Sequence, residues 1–152
     1  MLSLVIPCFN EEENLNKLLD CIDLLYKKYS EERIEVIIVD NGSTDNSNEL
    51  IKKNNLFLDK KINLIEIEKN VGYGDGITKG ISSCTGNFVA WCHADLQADL
   101  EDIIEIFLKS KQKLKNEDCI IKGKRINRGI LDAIFTSGMT VITFLLFQTI
   151  LN

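Results

Sequence analysis

The sequence predicts a three-layer α/β sandwich with a mainly parallel central sheet. Two observations carry this. Short apolar runs of strand type alternate with segments of helical spacing, and no linker, low-complexity tract or internal repeat interrupts them. Polar clusters follow three of the strand-like runs, where an open α/β sheet keeps its ligands.

Taken in order, Leu2–Ile6 reads as a first buried strand, and Pro7, the single proline, marks its exit. Leu15, Leu18, Leu19, Ile22 and Leu25 recur at helical spacing and predict one apolar face. Glu35–Val39 is a second strand, rich in β-branched residues. Ser43-Thr44-Asp45 supplies helix-start chemistry for a segment running through Lys53. Ile62–Ile67 is a third strand, with Asn63, Glu66 and Glu68 pointing outward. A glycine-rich stretch leads into a helix near Gly76–Cys84, and Phe88–Cys92 is the fourth strand. Asp99 caps a further helix whose apolar face is Ile103, Ile104, Phe107, Leu108 and Leu114. Asp118–Lys122 is expected as a fifth strand.

Composition narrows the class. A chain of 152 residues, 45% hydrophobic and 27% charged, suits one globular domain with a core. A net charge of −5 argues against general nucleic-acid binding. The five cysteines show no Cys-x-x-Cys pair, and the only histidine is His93, so neither a disulfide framework nor a zinc site is expected. With Leu2–Ile6 as a strand and no basic leader before it, the expected location is cytoplasmic. The domain reading is residues 1–130 as the α/β body, then 131–152. Within the latter, residues 139–151 are nearly all apolar, too short a run for a comfortable membrane span. Three readings stay open for them: a core helix, a homodimer helix, or an interfacial helix at a membrane surface. Lys122, Lys124, Arg125 and Arg128 just upstream would favour anionic headgroups.

The polar clusters are Pro7-Cys8-Phe9-Asn10-Glu11, Asp40-Asn41-Gly42-Ser43, and His93-Ala94-Asp95-Leu96-Gln97. Each could be a helix-capping loop, since Asn, Asp and Ser favour such positions locally. All three fall on one edge of the expected sheet. There a base and ribose would fit between the first two, with Asp40 accepting from base or sugar. A diphosphate would sit near the third through Mg²⁺ or Mn²⁺. In extended backbone Asp95 and Gln97 would point the same way, as would His93, which Mn²⁺ tolerates better than Mg²⁺. Asn70-Val71-Gly72-Tyr73-Gly74-Asp75-Gly76 matches neither the dinucleotide fingerprint nor a P-loop. It reads as a flexible helix-start turn or as a close backbone approach to phosphate. Lys122-Gly123-Lys124-Arg125 ends the expected fifth strand on the same edge, as a solvated turn or as a neutraliser of a diphosphate.

With these pieces in order, the chain resembles glycosyltransferase family 2, of the Rossmann-like GT-A fold, and its dolichyl-phosphate mannose synthase branch. The resemblance rests on five stretches running in family order from residue 2 to about 130. They are Val5–Leu15, Glu35–Asp45, Asn70–Gly74, Ala94–Asp99 and Gly123–Arg125. It implies an inverting transferase using a UDP- or GDP-linked sugar. Pro7, Phe9, Asn10, Glu11 and Asp40 would surround the nucleoside, with Asn70, Gly74 and Ala94 also at the donor. Asp95 and Gln97 would match metal positions, with His93 beside them, and Arg125 would contact the diphosphate. The chain departs from the family pattern in two places: the usual Asp-x-Asp is His93-Ala94-Asp95, without its first carboxylate, and little except an apolar run follows Arg125. Family members place the acceptor region downstream of Arg125, so no general base is assigned, and the chain is expected to be C-terminally truncated. A lipid-linked or polysaccharide acceptor, with peripheral attachment at the inner membrane face, completes the expectation. A non-catalytic donor-binding module is the alternative. A nucleotidyltransferase would want a glycine-rich loop after the first strand, and Pro7–Glu11 has none.

Overall fold

The elements run β1 (Leu2–Cys8), α1 (Glu12–Lys28), β2 (Ile34–Asp40), α2 (Ser47–Lys53), α3 (Asn55–Leu58), β3 (Ile62–Glu66), α4 (Tyr73–Ser82), β4 (Phe88–Trp91) and α5 (Leu100–Asn116). This computed structural model describes residues 1–116 and 119–122. The chain divides into two units, Met1–Glu117 and Asp118–Asn152, and all nine of these elements belong to the first. Arg125 and the apolar run 139–151 lie outside the described residues.

Four strands form one sheet in the order β3-β2-β1-β4, every pair parallel. Alternation sorts their side chains into two cores. Leu2, Leu4, Ile6 and Cys8 of β1, with Val36, Ile38 and Ile62, face α1, α2, α3 and α5. Val5, Ile37 and Val39 face the other way, toward α4, which packs on β1 and β2. Burial on both faces explains why the central parts of β1 and β2 read as apolar runs. On α1 the buried residues are Leu15, Leu18, Leu19, Ile22 and Leu25, the face the spacing predicts. Each contributes about 1.5–3 kcal/mol on burial, so packing rather than propensity holds the helix.

Three expectations need correction. Pro7 lies inside β1, buried and paired with Val39. Its nitrogen faces the β4 side, beyond the last registered pair Val5–Trp91, so no ladder donor is lost. The second helix begins at Ser47, not near Ser43: Asp45 Oδ1 accepts the Ser47 N–H at its start, while Ser43 Oγ and Asp45 Oδ2 bond across to the first loop. No strand forms over Cys119–Lys122, where Ile120 is 87% exposed; Asp118 lies outside the described residues. The cap expected at Asp99 is present, its Oδ1 accepting the Glu101 N–H at 2.9 Å.

At the opposite end of the sheet, Glu35 accepts from the Ser3 hydroxyl at 2.5 Å and from the Thr85 N–H and hydroxyl at 3.0 Å each. Burial pushes the Glu35 carboxyl up, but these hydrogen bonds outweigh it and hold the group below the ordinary 4.5. A lowered folded-state value means the unfolded chain binds the proton more readily. Its stability contribution is therefore present above the unfolded value and is lost as pH falls through the folded one. Glu35→Gln should lower stability at pH 7 by about 1 kcal/mol and flatten the acid-side loss below pH 4.5. Thermal melts from neutral to acid pH check this; parallel melting-temperature curves for both proteins would contradict it.

Candidate active site

The strand order reverses direction of growth at β1, which has β2 on one side and β4 on the other. Such a switch point opens a crevice at the carboxyl ends of the strands. A cleft of about 210 Å³ lies there, lined by Pro7, Cys8, Phe9, Glu11, Asn41, Asn70, Tyr73, His93 and Ala94. Segments from β1, β2, the loop before α4 and the end of β4 thus share one rim.

Two loops are pinned to each other beside this cleft. Asn10 Oδ1 accepts the Thr44 N–H at 2.8 Å, and the Asn10 N–H donates to Ser43 Oγ at 3.0 Å. The Glu11 N–H donates to Ser47 Oγ and the Glu12 N–H to Asp45 Oδ2. Glu12 in return accepts from the Asn46 N–H and side-chain amide. Asn10 adopts φ +55°, a left-handed conformation that Asn tolerates better than most residues. Burial pushes the Asp45 carboxyl up, but bonds from Ser47 and Glu12 prevail and hold it low, so the clasp keeps its charge at neutral pH.

A third loop docks on the second. Asn41 Nδ2 donates to the Gly72 carbonyl at 3.0 Å and to Asn70 Oδ1 at 3.3 Å. Gly42 sits at φ +75°, where a Cβ would lie 2.7 Å from the Asn70 nitrogen. Both the backbone angle and the approach require glycine. Asn41 is only 2% exposed, and its Oδ1 is a buried acceptor without a partner among the described residues. Its Nδ2 bonds fix the amide so that this oxygen is the one left over. A buried polar atom in this state costs about 1–3 kcal/mol unless a ligand supplies a donor.

The turn after β4 is not extended. Asp95 Oδ1 accepts the Gln97 N–H at 3.0 Å, an Asx turn that replaces the alternation expected for His93, Asp95 and Gln97. Leu96 takes φ +58°, a strain of about 1–2 kcal/mol offset by packing of its side chain against the core. His93 stacks face to face on Tyr73, ring centroids 4.6 Å apart and planes within 5°. Burial, then the neighbouring Cys92 and Asp95, push the Tyr73 phenol up, so it retains its proton at neutral pH. Burial pushes the Cys8 and Cys92 thiols to about 12, with nearby carboxylates adding to the effect, which leaves neither as a nucleophile.

Of the residues singled out from the sequence, the structure gathers Pro7, Phe9, Glu11, Asn70, His93 and Ala94 at the cleft. It places Asn10 in the loop clasp and Gly74 in the first turn of α4, its carbonyl accepting the Thr78 hydroxyl. Asp40 is buried, with Oδ1 on the Ser43 N–H and Oδ2 on the Asn48 amide. Asp95 and Gln97 form the turn beyond the rim, and Arg125 lies outside the described residues. Sequence reasoning assigned no role to Asn41 or Tyr73. The available signal was their position inside two of the polar stretches.

The donor set can be tested for a hard cation. Among the described residues no three His, Cys, Asp or Glu side chains come together to hold a metal ion. Asp95 is the one carboxylate of the turn, one of its oxygens is bonded to Gln97, and the His93 ring is stacked. Hard cations want several oxygens from carboxylates, carbonyls, water or a ligand's phosphates, so these side chains by themselves do not make a resident Mg²⁺ or Mn²⁺ site.

Solved neighbours show the fold of this parallel sheet to be GT-A. Glucosyl-3-phosphoglycerate synthase from Mycobacterium tuberculosis, in complex with UDP, aligns with TM-score 0.61 and 19% identity. The alignment covers 95% of this chain and 51% of that one. Mannosyltransferase PcManGT from Pyrobaculum calidifontis, in complex with GDP-Man and Mn²⁺, aligns with TM-score 0.59 and 21% identity, covering 71% and 31%. The family model for glycosyl transferase family 2 matches residues 3–135, and the chain belongs to that family. The uncharacterized glycosyltransferase YkcC of Bacillus subtilis (strain 168) is 32% identical over 114 residues, 72% of this chain and 33% of that protein. The undecaprenyl-phosphate 4-deoxy-4-formamido-L-arabinose transferase of Proteus mirabilis (strain HI4320) is 36% identical over 101 residues, 66% and 31%. The chain thus spans about a third of the length of these curated relatives.

Proposed function

We propose that this chain forms the donor half of an inverting glycosyltransferase that takes sugar from a UDP- or GDP-linked donor to a prenyl-phosphate acceptor. The single observation behind it is the orphaned Asn41 Oδ1 in the switch-point cleft. An acceptor there calls for a ligand N–H or O–H, which a nucleobase imide or a ribose hydroxyl supplies and a phosphate does not. Phe9, 43% exposed on the same rim, offers a ring face to the base. The two docked loops hold this pocket in shape before the ligand arrives, which reduces the ordering cost of binding. The sugar's anomeric carbon would then be displaced directly, with the diphosphate as leaving group and Arg125 as its family-assigned contact.

The acceptor class follows from relatives named for undecaprenyl- and dodecaprenyl-phosphate. No helix among the described residues is long and apolar enough to cross a membrane. Residues 139–151 are the apolar segment of this sequence available for contact with a lipid acceptor. Calorimetric titration with UDP and GDP tests the donor reading: measurable affinity for one of them is expected, and none for either removes it. Co-flotation with anionic vesicles carrying undecaprenyl phosphate tests the acceptor side, and absence of co-migration removes that part. The missing first carboxylate favours a second reading, a donor-binding module without turnover; sugar transfer by the purified 152-residue chain would eliminate it.

A further inference from the structure

We propose that the Tyr73–His93 pair supplies hydrogen-bond donors where the family pattern has a carboxylate, so that the cleft holds a nucleoside diphosphate without a divalent cation. This deepens the nucleotide reading above and rests on it. A carboxylate offers only acceptors, and a diphosphate offers only acceptors, so the two can meet only across a cation. An imidazole N–H and a phenol O–H meet phosphate oxygens directly. Replacing the first Asp with His93 therefore reverses what position 93 can do.

The geometry makes that reversal usable. Tyr73 and His93 both line the cleft, and both are exposed to it. They come from separate segments, the first residue of α4 and the segment after β4. Parallel stacking at 4.6 Å fixes both rings before any ligand arrives, so little rotamer freedom remains to be lost on binding. Tyr73 also opens a ten-residue helix whose N-cap, Gly72, provides no side-chain cap. The amides of that first turn and the positive end of the helix dipole add to the same surface. Two carboxylates oppose a diphosphate here, Asp75 in the first turn of α4 and Asp95 on the adjoining turn. Neither belongs to a group of three His, Cys, Asp or Glu side chains among the described residues, so no cluster of protein ligands is ready for a cation before the diphosphate arrives. An independent feature at the same cleft points to a ligand. Asn41, only 2% exposed, presents an unpartnered Oδ1. That acceptor addresses a nucleoside, and the Tyr73–His93 donors address what hangs from it.

The test measures binding of UDP and GDP to the 152-residue chain by calorimetry in Mn²⁺, in Mg²⁺ and in EDTA. The expected result is an affinity in EDTA within about threefold of that in Mn²⁺, a difference under about 1 kcal/mol. His93→Asp restores the carboxylate, and it should lose about tenfold or more in EDTA and recover in Mn²⁺. Tyr73→Phe keeps the ring stack and removes the hydroxyl, and it should lose about three- to tenfold in EDTA. A wild-type affinity that drops about tenfold or more on chelation overturns the proposal and leaves the nucleotide reading standing. So does a His93→Asp variant with the wild-type response to EDTA. Absence of binding under every condition overturns both.

Discussion

Gly80→Ala is expected to destabilise the protein by about 1–3 kcal/mol, although alanine is the better helix former. In an exposed helix the exchange would stabilise by up to about 1 kcal/mol. Here α4 lies so close to the sheet that a Cβ at residue 80 would stand 2.3 Å from Val5 Cγ1 and 3.0 Å from Val39 Cγ2. Val5 and Val39 are fully buried in the small core beneath α4, so they have no room to turn away. Overpacking therefore wins over propensity. Chemical denaturation of the variant checks the sign, and Val5→Ala combined with Gly80→Ala should recover part of the loss, since the two sites share one contact. A Gly80→Ala protein as stable as wild type would show that α4 can lift from the sheet. That outcome would also weaken any role for Tyr73, which α4 carries to the cleft.

Asn41→Leu is expected to weaken UDP or GDP binding by about ten- to a hundredfold while changing stability little. The binding loss comes from removing the unpartnered acceptor of a residue that lines the cleft. The small stability change is a near-cancellation. The variant loses the two amide bonds to Asn70 Oδ1 and the Gly72 carbonyl, at about 0.5–1.5 kcal/mol each. It also removes a buried orphan oxygen that costs about 1–3 kcal/mol in the unliganded protein. Paired calorimetry and thermal melts separate the two effects. Unchanged nucleotide affinity would mean that Asn41 serves only the loop, and would take away the main support for the donor reading.

Much of the scaffold was legible from residue order. Strands buried on both faces must be apolar at nearly every position, and the central parts of β1 and β2 are. The apolar spacing of α1 marked its buried face residue by residue. The site was legible at the level of segments and not of side chains. Asn10 and Asp40 were expected at the donor, yet Asn10 Oδ1 holds Thr44, and both Asp40 oxygens are bonded within the loop and to Asn48. Ser43 and Asp45 looked like a helix start because their local chemistry is the same whether they cap a helix or clasp a neighbouring loop. The stack of Tyr73 on His93 had no sequence signal, since a complete helix–strand passage lies between them.

Residue order alone therefore determined the layers, the parallel sheet and the edge on which polar loops gather, because periodicity and strand-end polarity are local properties. Tertiary contact decided which polar atoms remain free on that edge. Asp40 and Asn41 are adjacent in the chain and both polar, but the loops that pack around them satisfy the first and leave Oδ1 of the second bare. A hydrogen-bond inventory closes only when every neighbour in space is known, and most of those neighbours are far away in sequence.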